Sequence, residues 1–335
     1  MPIGTQVTSL ADLRRELQSL VREASSSTSG GNDDIADRYL NEALHDLHIN
    51  PLRKAPWLVR RSTILTHAPY STGTVSITAA ARTTVTGSST LWNTAVTGMG
   101  FNNARVGGKM TFSGITEVYE VSVVTSDTAI TILNRYTGAA LSAASYNYFE
   151  DEYALAADFG GPVDYRNFSN DINIALMPPM EFRRRYPRNS TTGRPAKATI
   201  IQKGFSSTTT PQYTVVFNPP PDDEYTIPYH YITTYLAVSS AGVEQTQMTA
   251  TTDEPIVPLK YRHVIVLRAA WKWLTFRKGG EGSTTIKAEY VDAMQRMSND
   301  LGIVQDKPIL VFGRGQKMPT RGRFDVNEYF DKMLW

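Results

Sequence analysis

Hydrophobic positions recur at helical spacing near both ends of the chain and at strand spacing between them. Leu10, Leu13, Leu17, Leu20 and Val21 follow Ser9 and Asp12, a pair that can close a capping box over the free amides of a first helical turn. The run Ser25 to Gly31 breaks this pattern. Asn32-Asp33-Asp34 restarts it, with Ile35, Tyr39, Leu40, Ala43, Leu44 and Leu47 on one face, and Pro51 ends it. From Tyr70 to Leu155 the period falls to two. Thr74-Val75-Ser76-Ile77-Thr78, Thr83-Thr84-Val85-Thr86, Glu117 to Val123 and Thr128 to Ile132 alternate polar with β-branched or aromatic residues between Gly, Asn and Ser punctuation, which predicts short antiparallel strands. Asp171 to Phe182 reads as a short helix ending at prolines. Ala198 to Ile201, Tyr213 to Phe217 and Tyr225 to Tyr231 read as strands, with the turn formers Asn218-Pro219-Pro220-Pro221-Asp222-Asp223 between the last two. Two long amphipathic segments follow, Tyr261 to Lys278 and Thr284 to Leu301, joined at Gly279-Gly280-Glu281-Gly282.

The early and late helices all carry apolar faces that need cover, and packing the four together satisfies them at once. The predicted fold is therefore α+β: a helical-bundle core with a small β-sheet, interrupted by an inserted antiparallel β-sandwich or barrel, and followed by an extended C-terminal arm. The expected boundaries are 1–68 with 158–311 for the discontinuous core, 69–157 for the insert and 312–335 for the arm.

Composition narrows the chemistry. Of 335 residues, 41% are hydrophobic and 20% charged, enough apolar material for a real core. No run of apolar residues is long enough to cross a bilayer, and Met1 to Leu20 lacks a basic leader before an apolar block, so neither membrane insertion nor secretion is expected. The chain has no cysteine, which rules out disulfides, thiolate metal sites and thiol nucleophiles and fits folding in a reducing compartment. His45 and His48 stand one helical turn apart but bring no third ligand. Gly107-Gly108-Lys109-Met110-Thr111 has Asn103 where a phosphate loop needs glycine and methionine where it needs a hydroxyl. Gly313-Arg314-Gly315 lacks a third glycine. The acidic groups Glu150-Asp151-Glu152, Asp222-Asp223-Glu224 and Asp253-Glu254 are contiguous rather than set across a cleft, and no serine sits in a nucleophile elbow. The expectation is a protein that binds other macromolecules, with no cofactor, no metal and no catalysis.

Three segments carry concentrated charge. Phe182 to Gly204 holds Arg183, Arg184, Arg185, Arg188, Arg194, Lys197 and Lys203 with no acid among them, either a solvated loop or a site for a carboxylate- or phosphate-bearing partner. Tyr261 to Gly280 has a net charge of +5 and Glu281 to Gly302 a net charge of −2, a complement that can pair the hairpin with itself or set the register between copies. Gly313 to Arg323 carries Arg314, Lys317, Arg321 and Arg323 without an acid. Phe324 and a short helical pattern with Tyr329, Phe330, Leu334 and Trp335 follow, so this tail either docks in a partner's groove or packs back on its own domain.

Several of these segments, in this order, resemble the head-to-tail adaptor proteins of tailed bacteriophages, the short-tailed type most closely. They are Leu13-Arg14-Arg15-Glu16-Leu17, then Asp34 to Leu44 leading to Pro56-Trp57, Met180-Glu181-Phe182-Arg183-Arg184-Arg185-Tyr186-Pro187 with Thr192-Gly193-Arg194-Pro195, Phe217 to Ile227, and Pro255-Ile256-Val257-Pro258. Thr83 to Trp92 and Asn134-Arg135-Tyr136-Thr137-Gly138 look like a β-module common in phage proteins. The resemblance implies a structural virion protein of the neck, assembled in the bacterial host cytoplasm. It would form a ring of about twelve copies beneath the portal protein and line the channel that double-stranded DNA crosses. Arms from Gly313 to Trp335 would reach the portal, and the insert would face tail nozzle or fibre proteins. Arg183, Arg184, Arg185, Arg188 and Arg194 would then face a neighbouring subunit or the DNA. A different reading makes the insert a receptor- or carbohydrate-binding module, with Trp92, Phe101, Tyr119 and Tyr136 stacking on sugars.

Overall fold

The computed structural model describes residues 7–22, 31–49, 55–187, 190–205, 211–280 and 282–300. Helix α1 (Leu10–Val21) opens with the expected capping box: the Asp12 amide donates to Ser9 Oγ at 3.4 Å and the Ser9 amide donates to Asp12 Oδ2 at 3.2 Å. Hydrogen bonds from the Thr8 hydroxyl and then the Ser9 amide hold the Asp12 carboxyl at a pKa of about 2. Leu10, Leu13, Leu17 and Val21 are buried, as are Ala36, Tyr39, Leu40, Ala43, Leu44 and Leu47 of α2 (Asn32–Ile49).

A short helix, α3 (Pro179–Arg185), lies apart from these two. Late in the chain come α4 (His263–Arg277) and α5 (Ser283–Asp300), and α4 packs against α1, α2 and α5 at once. That position explains why Val264, Ile265, Val266, Ala269, Ala270, Trp273 and Leu274 are all buried, which one narrow stripe would not achieve. Two cations of α4 find their acids on α2: Arg268 bonds Asp46 at 2.8 Å, and Lys272 reaches Asp46 at 2.9 Å and Glu42 at 3.4 Å. The Arg268 guanidinium also lies 5.6 Å from the centre of the Tyr290 ring of α5.

The greater part of the molecule is β. Among the described residues, eighteen strands form four sheets. The largest runs in the order β7 (Leu141–Ala144), β2 (Thr74–Ile77), β3 (Thr84–Ser88), β6 (Ala129–Ile132), β5 (Tyr119–Ser126), β4 (Lys109–Phe112), β8 (Tyr146–Phe149). Its two edge strands are separated by Ser145 alone, and two peptide units span at most about 7.6 Å. The sheet therefore curls until its edges meet, making a partial barrel filled by Val75, Ile77, Val85, Trp92, Met110, Phe112, Tyr119, Val121, Tyr136 and Tyr146. Trp92 donates Nε1–H to the Tyr146 hydroxyl at 2.9 Å, which in turn donates to the Thr72 carbonyl at 2.7 Å, so both buried polar groups are satisfied.

A three-stranded sheet, β1 (Val59–Leu65), β15 (Thr226–Thr233), β10 (Phe159–Pro162), packs against a five-stranded one, β11 (Asn167–Ser169), β12 (Ile174–Leu176), β13 (Lys197–Phe205), β14 (Pro211–Asn218), β9 (Glu152–Ala154). Their shared core holds Ile64, Ile227, Tyr229 and Tyr231 from the first and Tyr153, Phe168, Ile174, Val215 and Phe217 from the second, with Phe168 stacked on Tyr229 at 5.2 Å. A small sheet, β17 (Glu244–Gln245), β16 (Ala237–Val238), β18 (Glu254–Pro255), adds Ala237 to the helical core.

The expected fold class is corrected on this point. Among the described residues the chain is mainly antiparallel β with five α-helices, not a helical-bundle core with a small sheet. The four long helices do share one core, but two further cores belong to the sheets. The segment from Asp171 also differs from expectation. Ile174–Leu176 is a strand parallel to β13, and Pro178 and Pro179 open the following helix instead of closing one. Proline suits a first helical turn, where the missing amide would have no partner.

Buried His48 joins α2 to the segment that follows. Its Nδ1–H donates to the Leu44 carbonyl at 2.5 Å and its Nε2 accepts from Trp57 Nε1 at 3.3 Å. Burial disfavours the imidazolium and pushes the pKa down to about 4 from 6.5. The unfolded chain thus takes up a proton first on acidification. Native stability is expected to fall between about pH 6.5 and pH 4, by up to about 3 kcal/mol from this group. Urea unfolding at stepped pH should show that loss in the wild type and less of it in His48→Gln; identical pH slopes would contradict the assignment.

Candidate functional site

Glu150 and Asp151 fill the two-residue gap between the barrel edge β8 and the sheet edge β9, and Glu152 opens β9, so a run of three consecutive acids lies at this junction. Glu150 accepts from Arg105 Nε at 2.9 Å, from a second guanidinium nitrogen of Arg105, and from the Tyr148 hydroxyl at 2.6 Å. Lys109 bonds Asp151 at 2.7 Å and Glu152 at 3.1 Å, and Lys203 of β13 bonds Glu152 at 2.8 Å. Burial opposes the Lys109 charge, but Asp151 and then Glu152 outweigh it and raise its pKa. Burial also raises the Asp151 pKa, against the pull of Lys109, whereas for Glu152 the attraction of Lys109 and Lys203 overcomes burial and lowers it. Gly108 leaves room for this arrangement: a Cβ there would lie 2.1 Å from the Tyr148 hydroxyl. These residues form a closed ion-pair network joining two sheets, with carboxylates held against cations instead of facing a cleft.

Several other polar groups considered from the sequence also have structural partners. His48 has both ring nitrogens engaged, which leaves no lone pair for a metal. Among the described residues, no three His, Asp or Glu side chains are placed to hold a metal ion, and no helix is long and apolar enough to cross a membrane. Asp253 accepts amides from Thr249 and Ala250, each at 2.7 Å, and closes a tight loop. A shallow depression beside α2, lined by Arg38, Glu42, His45, Asp46 and Lys272, has its acids and Lys272 ion-paired. Of the aromatic residues considered for sugar stacking, Trp92, Tyr119 and Tyr136 are buried in the barrel, and Phe101 lies under the Arg105 guanidinium at 4.4 Å.

What remains on the surface is a corner of the five-stranded sheet. Helix α3 rests on β13 through buried Phe182, with Tyr186 edge-on to it at 5.4 Å, and exposes Arg183, Arg184 and Arg185. Arg185 pairs with Glu181 at 2.6 Å, whereas among the described residues Arg183 and Arg184 have no ion-pair partner. Arg194 is exposed in the loop that leads into β13, and that loop is tied to the proline turn after β14: the Gly193 amide donates to the Pro220 carbonyl at 2.8 Å and the Ala196 amide to the Asn218 carbonyl at 3.2 Å. Beyond the prolines, Asp222, Asp223 and Glu224 are exposed. Asp222 accepts from the Tyr225 hydroxyl at 2.8 Å, which pushes the Tyr225 pKa up. The structure therefore ties the Arg194 loop to the proline turn and seats α3 on β13, the strand that this loop enters. Of the cations expected to act with them, Lys203 is instead part of the ion-pair network, and Arg188 lies outside the described residues. So do Arg314, Lys317, Arg321, Arg323, Phe324, Tyr329, Phe330, Leu334 and Trp335 of the expected docking arm. Sequence reasoning missed Met180, which is 83% exposed, and the partners Arg105 and Lys109 of the acidic run. The Met180 signal was available, since it stands three and four positions before two arginines.

If the network is the joint between barrel and sheet, Lys109→Met should destabilise the fold by about 3–5 kcal/mol, the cost of leaving buried carboxylates without their cation. Arg296→Met, which breaks an exposed pair with Asp292, should cost far less. Chemical denaturation of both variants checks this; equal effects would count against the joint.

No protein-family model and no curated protein matches the chain.

Proposed function

We propose that the protein is a structural component of a tailed bacteriophage virion, a head-to-tail adaptor whose copies form a ring that joins the portal to the tail around the exiting DNA. The observation that carries this reading is the corner just described. Thr192 to Pro195 and the proline turn from Phe217 to Ile227, two separate stretches of the adaptor resemblance, are tied by the Gly193 and Ala196 backbone hydrogen bonds, and a third, Met180 to Pro187, carries most of α3, which packs on β13, the strand that this loop enters. Segments that share a family's pattern only loosely in sequence gain weight when they converge in space. Arg183, Arg184, Arg185, Arg194, Asp222, Asp223 and Glu224 are exposed, a chemistry suited to contact with another protein. The charge clusters elsewhere are tied up in ion pairs within the fold, which favours a binding role over a catalytic one. Burial of Trp92, Tyr119 and Tyr136 weighs against the barrel as a sugar-stacking module.

Negative-stain imaging of the purified chain mixed with the portal protein of the same virion tests the proposal. The expected result is a ring of adaptor copies seated on the portal ring. A chain lacking Gly313 to Trp335 is expected to keep its circular dichroism spectrum and fail to co-sediment with the portal. Full co-sedimentation by the shortened chain would overturn the role given to the arm, and absence of any ring with or without portal would overturn the adaptor reading.

A further inference from the structure

Two surfaces of this chain are opposite in charge and, among the described residues, form no ion pair with each other. The first is the outer face of α3. Residues i, i+3 and i+4 of a helix share a face, so Met180, Arg183 and Arg184 lie side by side, and buried Phe182 holds the opposite side of the helix to the sheet. All three are exposed, and neither arginine has an ion-pair partner among the described residues. An exposed methionine flanked by guanidinium groups is the composition of a protein interface. A phosphate backbone gains nothing from a thioether, and protein interfaces are enriched in both Met and Arg.

The second surface is the turn after the prolines. Asp222, Asp223 and Glu224 are exposed and also have no ion-pair partner among the described residues. The turn is preset: Thr66 Oγ1 donates to the Asp223 carbonyl at 2.8 Å and accepts from the Tyr225 amide at 2.7 Å, and the Glu224 amide donates to Asp223 Oδ1 at 2.8 Å. A turn fixed before contact loses little conformational freedom on docking.

We propose that Met180, Arg183 and Arg184 of one copy dock on the Asp222–Glu224 turn of the next copy, guanidinium groups pairing with carboxylates. Where each copy gives its helix face to one neighbour and its turn to another, the contact is heterologous. Repetition of such a contact closes a ring or continues as a filament, whereas a two-fold dimer would make both pairings between the same two copies. The inference rests on the ring reading above and names the interface that would build the ring.

Reciprocal charge exchange is the test. Arg183→Glu with Arg184→Glu, and separately Asp222→Arg with Asp223→Arg, should each weaken self-association of the full-length chain by about a hundredfold or more in analytical ultracentrifugation. The arginine double should keep the wild-type melting temperature; the aspartate double also gives up the Tyr225 and Glu224 hydrogen bonds to Asp222 and Asp223, so its circular dichroism spectrum and melting temperature are recorded beside its sedimentation. An equimolar mixture of the two variants should recover alternating oligomers, because each reversed face then meets an oppositely charged turn, and the chain carrying all four substitutions should recover them alone. Loss in both doubles without recovery in the quadruple variant would overturn this pairing and leave the ring reading standing. Oligomers unchanged in either double would overturn it likewise. If the arginine double instead loses binding to a short DNA duplex in fluorescence anisotropy while self-association is intact, the face belongs to nucleic acid and the proposal fails. A wild-type chain that stays monomeric with and without portal protein would remove the ring reading itself.

Discussion

The architecture depends on how charge is buried where the barrel meets the sheets. The chain leaves the barrel at Phe149 and enters the five-stranded sheet at Glu152, with only Glu150 and Asp151 between. Both of these carboxylates are buried. Unpaired, each would cost several kcal/mol in a low-dielectric interior. Arg105 and Lys109 from the barrel side and Lys203 from the sheet side supply the opposing charge, and Tyr148 adds a hydrogen bond to Glu150. Moving the barrel relative to the sheet would part these pairs, so electrostatics hold the joint where no large apolar surface does. The sheet sandwich and the helical core each have their own buried cluster and need no comparable device.

The helices were legible because each carries its own local instructions. Ser9 and Asp12 mark the start of α1, and the spacing of Leu10, Leu13 and Leu17 gives its buried face. The barrel strands were legible for the same reason: β2, β3 and β6 alternate, and their apolar positions Val75, Ile77, Val85, Ile130 and Ile132 are the ones buried. The balance of the fold was not legible. Strands β9 to β12 have three or four residues each, too few for a period to register, and Phe159-Gly160-Gly161-Pro162 reads as a turn although it pairs with β15. Their strand character comes from neighbours far along the chain, so the sheets looked smaller than they are. The partners of charged residues were hidden for the same reason. Lys109 stood out only beside its glycines, and the cations of α4 were open to pairing within the late hairpin or with another copy; folding brings Asp151 to the first and Asp46 to Arg268 and Lys272.

The surface corner shows the same mixture. The arginine run stood out in sequence, but nothing local distinguished Arg183 and Arg184, which face outward without ion pairs, from Lys203, which is spent on Glu152. The proline turn was visible as a turn, but its tie to Gly193 was not. A protein that carries exposed arginines without ion pairs and a preset acidic turn is equipped to hold another folded surface, and this is the basis of the account: assembly through charge-complementary faces.

Hydrogen–deuterium exchange compared between assembled oligomer and dilute monomer measures this most directly. The account predicts slowed exchange on assembly in α3 and in the turn from Asn218 to Tyr225, with the barrel strands unchanged. Equal exchange at that corner in both states, or protection confined to the barrel, would contradict it.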